Sequence, residues 1–287
     1  MLYELMKLTD KNLSTKEVKY QVVKRFNDEE RQYIDNCITN VNYFQTFAFS
    51  WFAISNNLKD LKILVDEYAF QYKETLSGSR DKVHYVTKVA EVVKSVSNFL
   101  SSANLFLALL EKNSSCEETK EKWVNEKRDM HANHLCYRLC YELRNHSQHA
   151  GLPVSGVQAN NIGSNDVHGE IYLDREVIIS DSKSTKKLKK YIHEYDGDVS
   201  LIPIFDDYLS VVSKLFVYFL ELNMQYYKSI PEFFEQYSQY TDQRSSLIYV
   251  SNKVPDDEIL SNMTRLQLGT FEWVLDITKQ CHELKKT

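Results

Sequence analysis

Apolar residues recur at three- and four-residue spacings along most of this chain, and little interrupts them: seven glycines and four prolines punctuate 287 residues. An all-β protein needs far denser turn chemistry, so the pattern predicts a mainly α-helical fold. With 43% apolar residues the chain can bury a substantial core. No internal repeat and no linker-like segment stands out, so residues 1–287 read as one composite helical domain.

Ser14 and Glu17 fit a capping box that opens a first helix, and the acids of Asn27-Asp28-Glu29-Glu30 open a second. Residues 43–52 are apolar on nearly every helical face and need cover from the rest of the chain or from a second copy. Residues 81–112 keep helical spacing as one long helix through Val92, Val96, Phe99 and Leu110. Asn113-Ser114-Ser115 breaks the pattern, and Ser115 with Glu118 forms a second capping box, so a continuous second arm folds back as an antiparallel hairpin. That arm carries Trp123, Leu135, Cys136, Leu139, Cys140 and Leu143, and stops at Gly151 and Pro153.

Beyond it, residues 170–179 read as two short strands around a tight turn, a small β-hairpin insertion. Residues 183–195 form a short basic helix, and 204–227 a strongly apolar one that Pro203 opens. A further helix starts at Pro231 with Ser229 and Glu232 as its cap, and a last one spans 255–282.

The formal net charge of −5 argues against a surface that is basic everywhere and leaves room for a local basic site. Acid and base interrupt the first seven residues, which does not suit a secretory signal. Cys37, Cys116, Cys136, Cys140 and Cys281 are odd in number and include no CxxC pair, as expected of free thiols in a reducing, cytoplasmic setting. Residues 38–58 carry no charge, but Asn40, Asn42, Gln45, Thr46, Ser50 and Asn56 interrupt them, which favours a buried helix over a membrane span.

The second arm ends in Arg144-Asn145-His146-Ser147-Gln148-His149. Arginine stays charged and matches phosphate geometry, while histidine exchanges protons near neutrality, so the two together suit metal-free cleavage of a phosphodiester. On an ideal helix, five positions advance the chain by about 500°, leaving Arg144 and His149 about 140° apart, whereas Asn145 and His149 share a face. The same residues also fit a helix C-terminus at which cations are favoured by the dipole.

A pair of long antiparallel helices whose second arm ends in Arg-Asn, three residues and His, followed by a Gly/Pro break, resembles the HEPN superfamily of helical-bundle proteins. The resemblance covers residues 79–227, with helical extensions at 1–78 and 228–287 outside it. It implies a homodimer whose motif helices meet at a shared cleft, and a metal-independent, cofactor-free endoribonuclease. His149 is then the general base or acid, Arg144 the transition-state stabiliser and Asn145 a positioning amide. By analogy the protein is a toxin or antiviral effector, with an antitoxin or activator protein as a further partner. One toxin branch carries a modifiable tyrosine two residues after the histidine. Here that position is Gly151, which does not support such control.

Two further patterns bear on the site. Lys183, Lys186, Lys187, Lys189 and Lys190 form a basic run that is either a solvated helix face or, beside Arg144, an RNA guide, with Leu188 and Ile192 as its anchors. His131 and His134 lie one turn apart, yet HExxH and paired-Cys signatures are missing, so no metal site is expected. The 19 tyrosines and 14 phenylalanines sit mostly at helical spacing and belong to core or subunit interface. The competing readings are a catalytically silent HEPN-like module binding protein or nucleic acid, and a metal enzyme built on His131 and His134.

Overall fold

The computed structural model describes residues 3–12, 17–76, 82–149, 151–152, 154–163, 166–240, 247–251 and 264–284. In chain order the elements are β1 (Tyr3–Asn12), β2 (Glu17–Phe26), α1 (Asp28–Leu76), α2 (Lys82–Lys112), α3 (Glu117–Asn133), α4 (Leu135–His149), β3 (Gly156–Asn160) and β4 (His168–Leu173). They continue as α5 (Arg175–Ser180), α6 (Lys186–Ile192), β5 (Val199–Ser200), α7 (Leu201–Leu222), α8 (Met224–Tyr227), α9 (Ser229–Ser238), β6 (Leu247–Ser251), β7 (Thr264–Leu266) and α10 (Leu268–Leu284). The protein is mainly helical, with two small antiparallel sheets. It divides into two compact units, Met1–Ala48 with Asn223–Gln280 and Phe49–Leu222 with Cys281–Thr287.

In the first unit the sheet runs β2-β1-β6-β7. The helix expected from Ser14 and Glu17 is not formed over the described part of that segment: Glu17–Phe26 is a strand paired with β1, and Ser14 lies outside the described residues. Val18, Tyr20, Val22 and Val23 favour extended backbone, and pairing with β1 and onward to β6 outweighs a local capping signal. The helix expected at Asn27 does form. The Asn27 amide donates to Glu30 Oε2 at 3.0 Å and the Glu30 amide to Asn27 Oδ1 at 2.9 Å, so α1 begins with a reciprocal cap. The expected last helix begins only at Leu268; Thr264–Leu266 is strand, and 252–263 lie outside the described residues.

The second unit holds the candidate site. α2 covers the expected long helix, and its row of Val92, Val96, Phe99, Ala103, Phe106 and Leu110 is fully buried. Val86–Lys112 is the one described segment long and apolar enough to cross a membrane by length and composition. In α1, Phe44, Phe47 and Trp51 are buried by the chain itself, whereas Phe49 and Phe52 are exposed. The buried Trp51 indole donates to Ser213 Oγ on α7 at 2.9 Å, and that hydroxyl donates to the Leu209 carbonyl at 2.8 Å, so both polar groups are satisfied inside the core.

The arm after α2 differs from expectation in two ways. Its start is not a Ser115–Glu118 box: Cys116 occupies the cap position without a side-chain capping bond, its Sγ lying 3.2 Å from Thr119 Oγ1, and Glu118 instead pairs with Lys122 at 2.6 Å. Nor is the arm continuous. His134 is extended (φ −114°, ψ 113°) between α3 and α4, its amide donating to the Met130 carbonyl at 3.0 Å while Arg138 Nη1 donates to the Ala132 carbonyl. Those two donors satisfy carbonyls that the break would otherwise leave open.

The hairpin insertion exists in a different place. β4 pairs with β3, and residues 175–180 are helical because Asp174 accepts the Val177 amide at 2.9 Å and caps α5. The sheet order is β3-β4-β5. Gly169 on β4 lies against the Val65 backbone of α1, where an added Cβ would come within 2.0 Å of the carbonyl oxygen. Gly169→Ala should therefore destabilise the protein by about 3 kcal/mol in denaturant unfolding, while Gly163→Ala, with nothing within 4 Å, should stay near wild type. Equal stability of the two variants would show that strand and helix do not approach this closely.

Candidate functional site

Helix α4 is built by one apolar stripe. Cys136, Leu139, Cys140 and Leu143 are buried at spacings of three, one and three, and the helix packs on α2, α3, α6 and α7. The polar residues of the motif ride on that anchored helix. Arg144 and Asn145 are half-buried and bonded to each other, Arg144 Nη1 donating to Asn145 Oδ1 at 3.1 Å. Ser147 Oγ donates to the Arg144 carbonyl at 2.8 Å. His149 is exposed on the last turn. Arg144 and Asn145 are thus brought together, whereas no hydrogen bond among the described residues joins either to His149.

The buried imidazole of the segment is His146, only 5% exposed and three positions beyond Leu143 on the same stripe. Its Nδ1 and the Nε of Arg144 are enclosed without a hydrogen-bond partner among the described residues. The Gly151 amide donates to the His146 carbonyl at 3.1 Å, and a Cβ on Gly151 would sit 3.1 Å from the imidazole Nε2. Glycine there lets the chain turn closely over the ring. Within the Arg144–His149 segment, the i+3 relation of His146 to Leu143 is the sequence signal for its burial. Nearby, the Asp181 carboxyl is held below its usual range by the Lys183 amide and the Ser184 hydroxyl, with His146 adding a smaller effect.

The basic run is α6 for most of its length. Leu188, Tyr191 and Ile192 are buried as its anchors, Lys186, Lys187 and Lys190 are exposed, and Lys189 Nζ donates to the Ile179 carbonyl at 2.7 Å. Lys183 precedes the helix. Thr185 Oγ1 donates to the buried Glu142 at 2.9 Å, while Arg138 stacks its guanidinium over Tyr191 at 5.4 Å. These two contacts run α6 antiparallel to α4, with its first lysines toward the motif end.

His131 and His134 do not form one site: His131 lines a cavity with Lys127 and Tyr137, and His134 a different one with Asp206 and Lys214. Among the described residues no group of three or more His, Cys, Asp or Glu side chains is placed to hold a metal. All five cysteines are free thiols, and burial pushes those of Cys136 and Cys140 upward in pKa. Comparison of the chain with protein-family models, curated proteins and solved structures finds no match.

Thr185 has two duties, since it also accepts the Leu188 amide at 3.0 Å and caps α6. Thr185→Ala should cost about 2 kcal/mol by losing the cap and stranding the Glu142 carboxylate, and Thr185→Ser should restore most of it. Chemical denaturation of both variants checks this; an unchanged midpoint in Thr185→Ala would mean that the hydroxyl holds neither helix end nor carboxylate.

Proposed function

We propose that this chain is an HEPN-like, metal-independent endoribonuclease acting as a homodimer. The observation that carries the reading is the Arg-Asn…His segment at the end of α4, beside which the lysine-bearing α6 is packed. His149 takes the proton of an RNA 2′-hydroxyl, whose oxygen attacks the adjacent phosphorus. Arg144 neutralises charge on the crowded phosphoryl group, and Asn145 steadies Arg144 through the 3.1 Å bond. The 5′-oxygen leaves with a proton, so the products are a 2′,3′-cyclic phosphate and a 5′-hydroxyl. Lys186, Lys187, Lys189 and Lys190 guide the RNA backbone, which makes binding strongly salt-dependent. Arg144 and His149 diverge by about 140° on one helix, and pairing with a second copy of α4 supplies the missing partner for each. A cytoplasmic toxin or antiviral effector, held by an antitoxin or triggered by an activator, is the biological role that follows by analogy.

A second reading, the catalytically silent helical module, is favoured by one observation: Arg144 is half-buried and already engaged by Asn145. The two readings part in a single assay. Purified protein incubated with mixed RNA in excess chelator should yield cyclic-phosphate ends, and His149→Ala and Arg144→Ala should each slow cutting by about 100-fold or more. Undiminished cutting by both variants removes the site assignment. A folded wild type that never cuts RNA supports the silent module.

A further inference from the structure

The cavity that His134 lines sits in the second unit at the opposite end of α4 from the motif. Its volume is about 630 Å³, bounded by the break between α3 and α4, by α7 and by Leu284 at the end of α10. Small-molecule sites range over roughly 300–1,000 Å³. Cys136 lines it, and His149 stands about 20 Å further along the helix axis, so the ribonuclease reading makes no use of it. The extended backbone at His134 sets the Asn133 and His134 side chains on one wall. Leu135, Leu209 and Val211 supply apolar surface.

Two opposite charges stand uncompensated in it. Asp206 is bound to Lys62 at 2.6 Å, and the Ser210 hydroxyl to the Leu284 carbonyl at 2.9 Å. The side chains of the exposed Asp207 and the half-buried Lys214 make no hydrogen bond or ion pair among the described residues, and neither do those of Asn133 and His134. Seven positions apart on α7, Asp207 and Lys214 share a face to within about 20° and stand about 10.5 Å apart along the axis. Their fields meet inside the cavity. The Cys136 thiol is raised in pKa first by burial and then by Asp207, with Lys214 among the opposing effects. Burial first, then Cys136, Cys140 and Asp207, push the Tyr195 phenol up to about 12.

We propose that this cavity binds a short peptide of about two to three residues by its free ends, the ammonium on Asp207 and the terminal carboxylate on Lys214. The backbone amides between the ends lie on Asn133 and His134, and an apolar side chain lies on Leu135 and Leu209. The charge spacing selects the length. An extended chain covers at most about 3.3–3.6 Å per residue, so two or three residues bridge the gap, given that Lys214 reaches back toward the start of α7. A free amino acid is too short to meet both charges. The wall selects the chemistry, because an amide side chain both donates and accepts and so matches a peptide bond, whereas a simple amine or anion answers one charge and leaves Asn133 unused. The site is independent of the Arg144–His149 chemistry, and each stands or falls apart from the other.

Calorimetric titration of the full chain with Ala-Leu, with Ala-Leu-Ala, with the N-acetyl and C-amide derivatives of both and with free leucine tests this. The better of the two peptides should bind about tenfold or more tighter than leucine, and blocking either of its ends should weaken it by about tenfold or more. Asp207→Asn and Lys214→Gln should each weaken the unblocked peptide to a similar degree. Asp207→Asn should bind the N-acetyl peptide as well as the wild type does, because the same contact is already lost. In NMR the His134 ring signals should shift and saturate with the heat of binding, while those of His131, in the other cavity, stay in place. Failure of both peptides to bind at millimolar concentration, equal affinity for leucine or for the end-blocked peptides, or wild-type affinity in either charge variant each overturns the proposal.

Discussion

The burial of one stripe on α4 is the constraint on which the polar architecture of the second unit depends. Leu139, Cys140 and Leu143 are removed from water between α2 and α7, each apolar side chain contributing about 1.5–3 kcal/mol. That burial sets the rotation of α4 about its axis. The rotation in turn decides that Tyr137 faces a cavity, Glu142 faces Thr185 and His146 continues into the core. Polar groups choose little here; they make the best bonds available where the apolar seam leaves them.

At one point the seam imposes a cost. Arg144 Nε and His146 Nδ1 are enclosed without partners among the described residues, and both lie within one turn at the end of the helix. Each such atom costs about 1–3 kcal/mol. Arg138 Nε, in the first turn of α4, is enclosed without a partner in the same way, although that end of the helix is anchored to α6 by the Arg138–Tyr191 and Glu142–Thr185 contacts. A rigid helix ending in a polar, incompletely satisfied turn presents Arg144 and Asn145 on a fixed base. His149 stands beyond it in solvent.

Much of the helical plan was legible because it is written in neighbours three and four apart. α2, α6 and the start of α1 at Asn27 emerge close to where the apolar spacing and capping residues put them. β2 did not: it pairs along the whole of neighbouring β1, and β1 is itself held on its other edge by β6, which lies far away in the chain. The break at His134 was equally hidden: Leu135 continues the apolar spacing, and the extended residue is held by the Met130 carbonyl and an Arg138 side chain reaching back. In the motif, adjacency was enough to pair Arg144 with Asn145. It could not say which of His146 and His149 the core would take.

Local pattern alone established a mainly helical chain, the position of its longest apolar helices and the make-up of the turn that ends α4, since helical hydrogen bonds and faces involve only near neighbours. The packed tertiary structure decided the strand pairings, the interruption between α3 and α4, the burial of His146 and the tyrosine-lined cavity. Each of those depends on surfaces from separate helices or strands meeting in space, and the free energy of such meetings resides in contacts that no short window of residues contains.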